Sequence, residues 1–177
     1  MIIADKKKKS NIAEYIIHMY QTEDLIRVFE CDIEKIKEYV IKHIPEDDSS
    51  KEDMAIWYSD LLSKMTQQGI LKEGHLQEIN EIVVELELLK EQLLISDNEF
   101  KRKYDEAKSD ITEMKSLSNG LISSDVQVCL NGIYGLLIAK INGREIPKEF
   151  HAALDKFGNV LSHLSFRYSQ EDYLTNN

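Results

Sequence analysis

The chain has 177 residues, and its 32 acidic against 22 basic side chains leave a net charge of −10. Its seven glycines and two prolines fall below the roughly 12 and about 9 that average usage would place in this length. So few breakers exclude collagen-like and low-complexity classes, leave little room for tight hairpins or Gly-rich phosphate loops, and oppose a small all-β domain.

What remains is an all-α chain, and seven helical segments can be read in order, each opened by a polar cap or a proline before an apolar stripe. The first runs from about Asn11 to Glu30, with Asn11 and Glu14 at capping-box spacing. The second follows Asp32 and ends near Ile44, ahead of Pro45. The third starts after Ser50 and stops near Gly69, and the fourth starts after Gly74 and ends near Ile95. The fifth opens on Ser96 and Glu99 and ends before Gly120. The sixth opens on Ser124 and Gln127 and ends at Asn142-Gly143, a left-handed stop. The seventh has Pro147 at its first position and runs past Arg167. Residues 1–10 read as a basic leader, 11–170 as a single-domain bundle, and 171–177 as a C-terminal tail.

The stripes rank these helices. Ile33, Ile36, Val40 and Ile44 line one face of the second, and Met54, Trp57, Tyr58, Leu61 and Met65 one face of the third. Phe150, Leu154, Phe157, Leu161, Leu164 and Tyr168 do so in the seventh. All follow the i, i+3/i+4 spacing of a helix that buries one side. The fifth carries only a narrow stripe, Phe100, Tyr104, Ala107, Ile111 and Met114, which suits a peripheral helix or one that pairs with a partner chain. The sixth is apolar nearly all round between Val126 and Ile141. Such a helix is expected at the centre of the bundle, with Gly132 and Gly135 letting a neighbour pack close.

An acidic chain lacks the basic footprint that nucleic-acid binding needs, and its one basic run, Lys6–Lys9, reads as a solvated leader. No apolar segment follows those lysines as a secretory signal would require. The longest apolar stretch, Ile133–Ala139, falls far short of the roughly 20 residues of a membrane span. Cys31 and Cys129 form no CxxC and lie far apart, which points to a cytoplasmic, bacterial-type protein without a disulfide framework. The acidic Glu46-Asp47-Asp48, with Glu52-Asp53, reads as a solvated loop and first turn rather than a Mg²⁺ site, because no second cluster faces it. No histidine has Glu three residues before it, and HExxH, P-loop, GxGxxG and GxSxG are absent. Neither a catalytic residue, a metal nor a cofactor is therefore assigned.

Polar residues on apolar faces are the remaining candidates. Glu23 falls inside the face formed by Ile12, Tyr15, Ile16, Met19 and Ile26, with Arg27 one turn on and Tyr20 beside it. A carboxylate aimed at a core must be paired, and Arg27 is the expected partner. The pair either holds helix register or lines a cavity for a polar ligand. His75 projects onto the apolar face of the fourth helix, either as a satisfied core histidine or as a base or ligand. Glu78 and Glu81 beyond it read as a solvated acidic face. Asn131 and Tyr134 sit on the apolar sixth helix, where their polar atoms must find partners.

These residues also carry a resemblance. Asn11-Ile12-Ala13-Glu14-Tyr15, the run from Tyr20 to Arg27, Trp57-Tyr58, Gly74-His75-Leu76-Gln77 and the run from Asn131 to Leu137 make the chain similar, over nearly its whole length, to an uncharacterised, mainly bacteroidete helical family, domain of unknown function 4924. Where that family tends to show Trp near Tyr20, this chain has Tyr. The resemblance implies a cytoplasmic all-helical protein and supplies no activity. Taken together, the expected function is a non-enzymatic interaction or scaffold module, a homodimer or a partner-binding chain that uses a helical face, without nucleic acid or membrane. The alternative is a small-ligand-binding bundle or unrecognised enzyme with Tyr20, Glu23, Arg27, His75, Asn131 and Tyr134 around one pocket.

Overall fold

The computed structural model describes residues 3–45 and 50–175. Among them every regular element is helical: α1 (Ile3–Ser10), α2 (Ile12–Val28), α3 (Ile33–Tyr39), a 3₁₀ turn (Ile41–His43), α4 (Lys51–Gln67), α5 (Gln77–Ser96), α6 (Asn98–Leu117), α7 (Asp125–Ile141) and α8 (Lys148–Thr175). The count exceeds seven because the basic leader is itself a helix. Lys7 of α1 pairs with Glu14 at 3.0 Å, and the Lys8 ammonium lies 5.5 Å over the Tyr15 ring, so two of its like charges have partners on α2. The Glu46-Asp47-Asp48 stretch lies outside the described residues.

The residues fall into two compact units. Unit 1 comprises Met1–Ser10 and Glu14–Glu81, and unit 2 comprises Asn11–Ala13 and Ile82–Asn177. In unit 1 the caps form where polar residues precede the stripes. Asp32 accepts from the Glu34 and Lys35 amides, and Ser50 and Asp53 close a reciprocal capping box. On α4 the expected stripe is buried at Met54, Tyr58, Leu61 and Met65. The second expected helix breaks at Val40, because Ile44 must be extended (φ −77°, ψ 130°) to precede Pro45. The chain tightens into the 3₁₀ turn, and Ile41 rather than Val40 or Ile44 takes the buried position.

Unit 2 corrects two expectations. The narrow stripe of α6, from Phe100 to Ile111, is buried, with the helix packed on α7 and α8. It is therefore not the face left for a partner. Its cap is Asp97, which accepts from the Glu99 and Phe100 amides, rather than Ser96. The apolar α7 is central only in its first half. Val126, Val128, Cys129, Leu130 and Gly132 are buried, whereas Ile133, Leu136, Leu137 and Ile138 are half-buried and Ile141 is 64% exposed. The helices packed against α7 leave part of its circumference open past Gly132, although it is apolar on every side. On α8 the buried line runs from Leu154 to Leu164, and Phe150 at its start is 44% exposed.

Gly132 and Gly135 also separate. A Cβ on Gly132 would stand 2.8 Å from the Phe157 ring, while one on Gly135 would meet nothing within 4 Å. Gly132→Ala must displace a buried aromatic ring, and unfolding in urea should show a loss of about 1–3 kcal/mol. Gly135→Ala should be neutral or stabilising by up to about 1 kcal/mol through helix propensity. Equal effects of the two substitutions would contradict this packing.

Candidate functional site

The apolar face of α2 has one charged group in its midst, and Glu23 is fully buried. Its Oε1 accepts from the Leu76 amide at 3.0 Å, and its Oε2 accepts from His75 Nδ1 at 2.6 Å. The imidazole lies on the ring of the fully buried Tyr20, with centroids 3.6 Å apart and planes 19° apart. Asn80 holds the same residue from the backbone side, donating its amide to the His75 carbonyl at 3.1 Å. Tyr20, Glu23 and His75 are thus brought together, all within unit 1.

Arg27 does not pair with Glu23. Its Nη1 donates to Asp24 at 2.7 Å, and its Nη2 donates to the carbonyls of Ile70 at 3.1 Å and Gly74 at 2.5 Å; Nε is buried without a partner. The reason lies in the connection between α4 and α5. That segment offers bare carbonyls to the guanidinium and an amide to the carboxylate, so each charge of α2 meets backbone groups of the sign it needs. Gly74, at φ 91°, supplies the left-handed turn that presents its carbonyl to Arg27. Glu23 and Arg27 together latch the segment from Ile70 to Leu76.

Around the latch, burial pushes the Tyr15 hydroxyl up to about 12, with Glu78, Asp5 and Glu23 adding to the effect. Burial lowers His18, helped by the charge of Lys7. Glu78 pairs with Lys64 at 3.1 Å and Glu81 accepts from Gln77 at 2.8 Å. Among the described residues no three His, Cys, Asp or Glu side chains gather as a metal site. Asn131 and Tyr134 belong to unit 2, where Asn131 accepts from Gln127 at 2.7 Å and Tyr134 is half-buried.

Unit 2 holds a buried charge of its own, absent from the candidates above. Lys90, 3% exposed, sits in the α5 stripe at the i+4 position from Leu86. It donates to Glu87 at 2.5 Å, Asp125 at 2.8 Å and Glu91 at 2.9 Å. Tyr104 donates to Asp125 at 2.6 Å, Lys115 pairs with the same carboxylate, and Glu87 accepts from Ser124 and from the Val126 amide. A cation in register with Ile79, Val83, Leu86 and Leu93 is the same kind of signal as Glu23, and it was legible on the helical wheel. Burial alone would lower the lysine, but its three carboxylate partners raise it instead. Burial would likewise raise Asp125, yet hydrogen bonds from Lys115, Lys90 and Tyr104 bring it down to about 2. Burial pushes the Cys129 thiol up, which keeps it protonated and inert.

Two outcomes follow. Glu23→Ala leaves the Leu76 amide and the His75 N–H unpaired and should lower stability to urea by about 3 kcal/mol, whereas Glu23→Gln keeps an acceptor and should cost about half of that. Asp125 titrates lower in the folded chain than its ordinary 3.8, so its contribution is complete above that value and lost as pH falls toward about 2. Asp125→Asn should therefore flatten the pH dependence of unfolding in that interval, measured by circular dichroism.

No curated protein and no solved structure matches the chain. A family does: the match spans residues 1–173, and the chain belongs to the family described as Domain of unknown function (DUF4924).

Proposed function

We propose that this chain is a non-enzymatic interaction module that pairs with a second copy of itself through the end of α7 and the start of α8. One observation carries the reading: the second half of α7, apolar on every side, is left half-buried to exposed, ending on Ile141 at 64% and continued across the connection by Phe150 at 44%. An apolar surface of this kind is what partner helices cover.

Charge favours a second copy. A chain of net −10 repels itself over most of its surface. The flank of this apolar end is different: Lys140, Arg144 and Lys148 stand against Glu145 and Glu149, all five exposed and none in an ion pair among the described residues. Two such ends can meet with opposite charges across the rim. The narrow α6 stripe no longer supports pairing, because it is buried.

The ligand-pocket alternative has less behind it. Both oxygens of Glu23 and both terminal nitrogens of Arg27 are engaged by the chain itself, which supports a latch rather than an open polar pocket. A cytoplasmic setting suits two cysteines that remain free.

Size-exclusion chromatography with light scattering should show the mass of two chains, falling to one on dilution. Ile141→Lys alters an exposed position and should leave the helical signal intact while shifting the chain to a monomer. A wild-type chain that stays monomeric across concentrations overturns the pairing.

A further inference from the structure

The chain has five histidines, and one is placed unlike the rest. His163 has both ring nitrogens engaged, by Asp97 at 3.0 Å and Lys103 at 3.3 Å. His151 spends Nε2 on the Ile146 carbonyl at 3.2 Å. His18 stacks on Trp57, and His43 is exposed, with only the charge of Glu38 nearby and no side-chain hydrogen bond among the described residues. Only His75 combines a carboxylate on one nitrogen with nothing from the chain on the other.

Its Nδ1–H is committed to Glu23 at 2.6 Å, so Nε2 carries the lone pair. No side chain or carbonyl engages Nε2 among the described residues. The one buried side-chain polar atom lacking a partner is Arg27 Nε. Nε2 is therefore open to solvent, in keeping with a side chain 28% exposed. The carboxylate behind it is fully buried and held in place by the Leu76 amide. It holds the Nδ1 proton, keeps the lone pair on Nε2, and stabilises the positive charge that develops on the ring when Nε2 attacks. Stacking on Tyr20 fixes the ring, so little orientational freedom is lost when it reacts.

The surroundings select among the uses of such a ring. A metal would need further ligands, and the described residues gather no group of three His, Cys, Asp or Glu. A general base would need a substrate held beside it. A nucleophile that takes a group directly from a small donor in solution needs only reach. We propose that His75 accepts a phosphoryl group at Nε2 from a small, activated phosphodonor such as a phosphoramidate or an acyl phosphate. In the step, the Nε2 lone pair attacks phosphorus and the new N–P bond forms. The donor's P–N or P–O bond breaks, and the leaving amine or carboxylate departs with its electron pair. The ring becomes an N-phosphoryl imidazolium whose Nδ1–H still donates to Glu23, and the carboxylate charge offsets the ring's positive charge. The proposal uses no residue of the proposed pairing face: His75 belongs to unit 1 and α7 to unit 2.

The test is incubation of the full chain with potassium phosphoramidate, followed by phosphorus NMR and site-resolved mass spectrometry, with exposed His43 as the internal reference. His75 should be phosphorylated at Nε2 faster than His43 on the order of tenfold, below the roughly 10²–10⁴-fold of a positioned general base because Glu23 orients and polarises the ring without removing a proton. Glu23→Gln should bring His75 down to the His43 rate. Should that variant unfold, wild type in urea serves the same purpose, and the two rates must converge there. Equal rates in the native chain, modification at Nδ1, a Glu23→Gln rate as fast as wild type, or a difference that survives in urea would each overturn the proposal.

Discussion

A carboxylate with no solvent exposure is the constraint on which unit 1 turns. Glu23 cannot be hydrated, so leaving either oxygen unmatched would cost several kcal/mol. The chain meets this demand with a segment that has its own unmet demand. The connection between α4 and α5 has backbone groups that no ladder or helix satisfies. Glu23 takes an amide and a ring N–H from it, and Arg27 takes two of its carbonyls. The result positions the first residues of α5, a helix whose start has none of the usual capping side chains. Gln68 instead accepts from the Gln77 amide at 2.8 Å, and the Leu76 carbonyl accepts from Ile79 and Asn80.

Unit 2 meets the reverse problem. Its buried charge is the cation Lys90, and it is matched by three carboxylates rather than by backbone. Here too the partners have second duties. Glu87 accepts from the Val126 amide in the first turn of α7, Ser124 caps that helix through the Gln127 amide, and Asp125 receives the Tyr104 hydroxyl from α6. A single polar cluster thereby ties α5, α6 and the start of α7. Such clusters are unforgiving, since removing one member strands the others in a low dielectric. They specify which helix ends meet more sharply than apolar packing, which tolerates sliding.

Much of this is legible in the sequence. Caps at Asp32, Ser50 and Ser124, the buried stripes of α4 and α8, and the anomaly of Glu23 all follow from spacing along one helix. What helical spacing does not carry is distance in sequence and competition in space. The partner of Glu23 lies 52 residues away, and helical periodicity says nothing about such a neighbour, so Arg27 at i+4 looked nearest. Lys90 escapes a stripe read for apolar residues alone, which has no slot for a cation. For α7, apolarity on every side measures how much burial the helix could use. Its actual burial depends on how many neighbours reach it, and those run short after Gly132.

Structural and reactive roles at His75 need not compete. A latch requires that Nδ1 be bound, Glu23 buried and the ring immobile. Those are the three conditions that leave Nε2 with a fixed lone pair and a stabilising charge behind it. A histidine on a free helix surface meets none of them, and one packed like His163 loses the second nitrogen. The chemistry at His75 is thus a by-product of good packing with one atom left over. Putting a group on Nε2 adds charge at the surface without taking the Nδ1 proton from Glu23. The hydrogen bond that holds the α4–α5 connection is preserved, so a modified chain can keep the fold that made the nitrogen reactive.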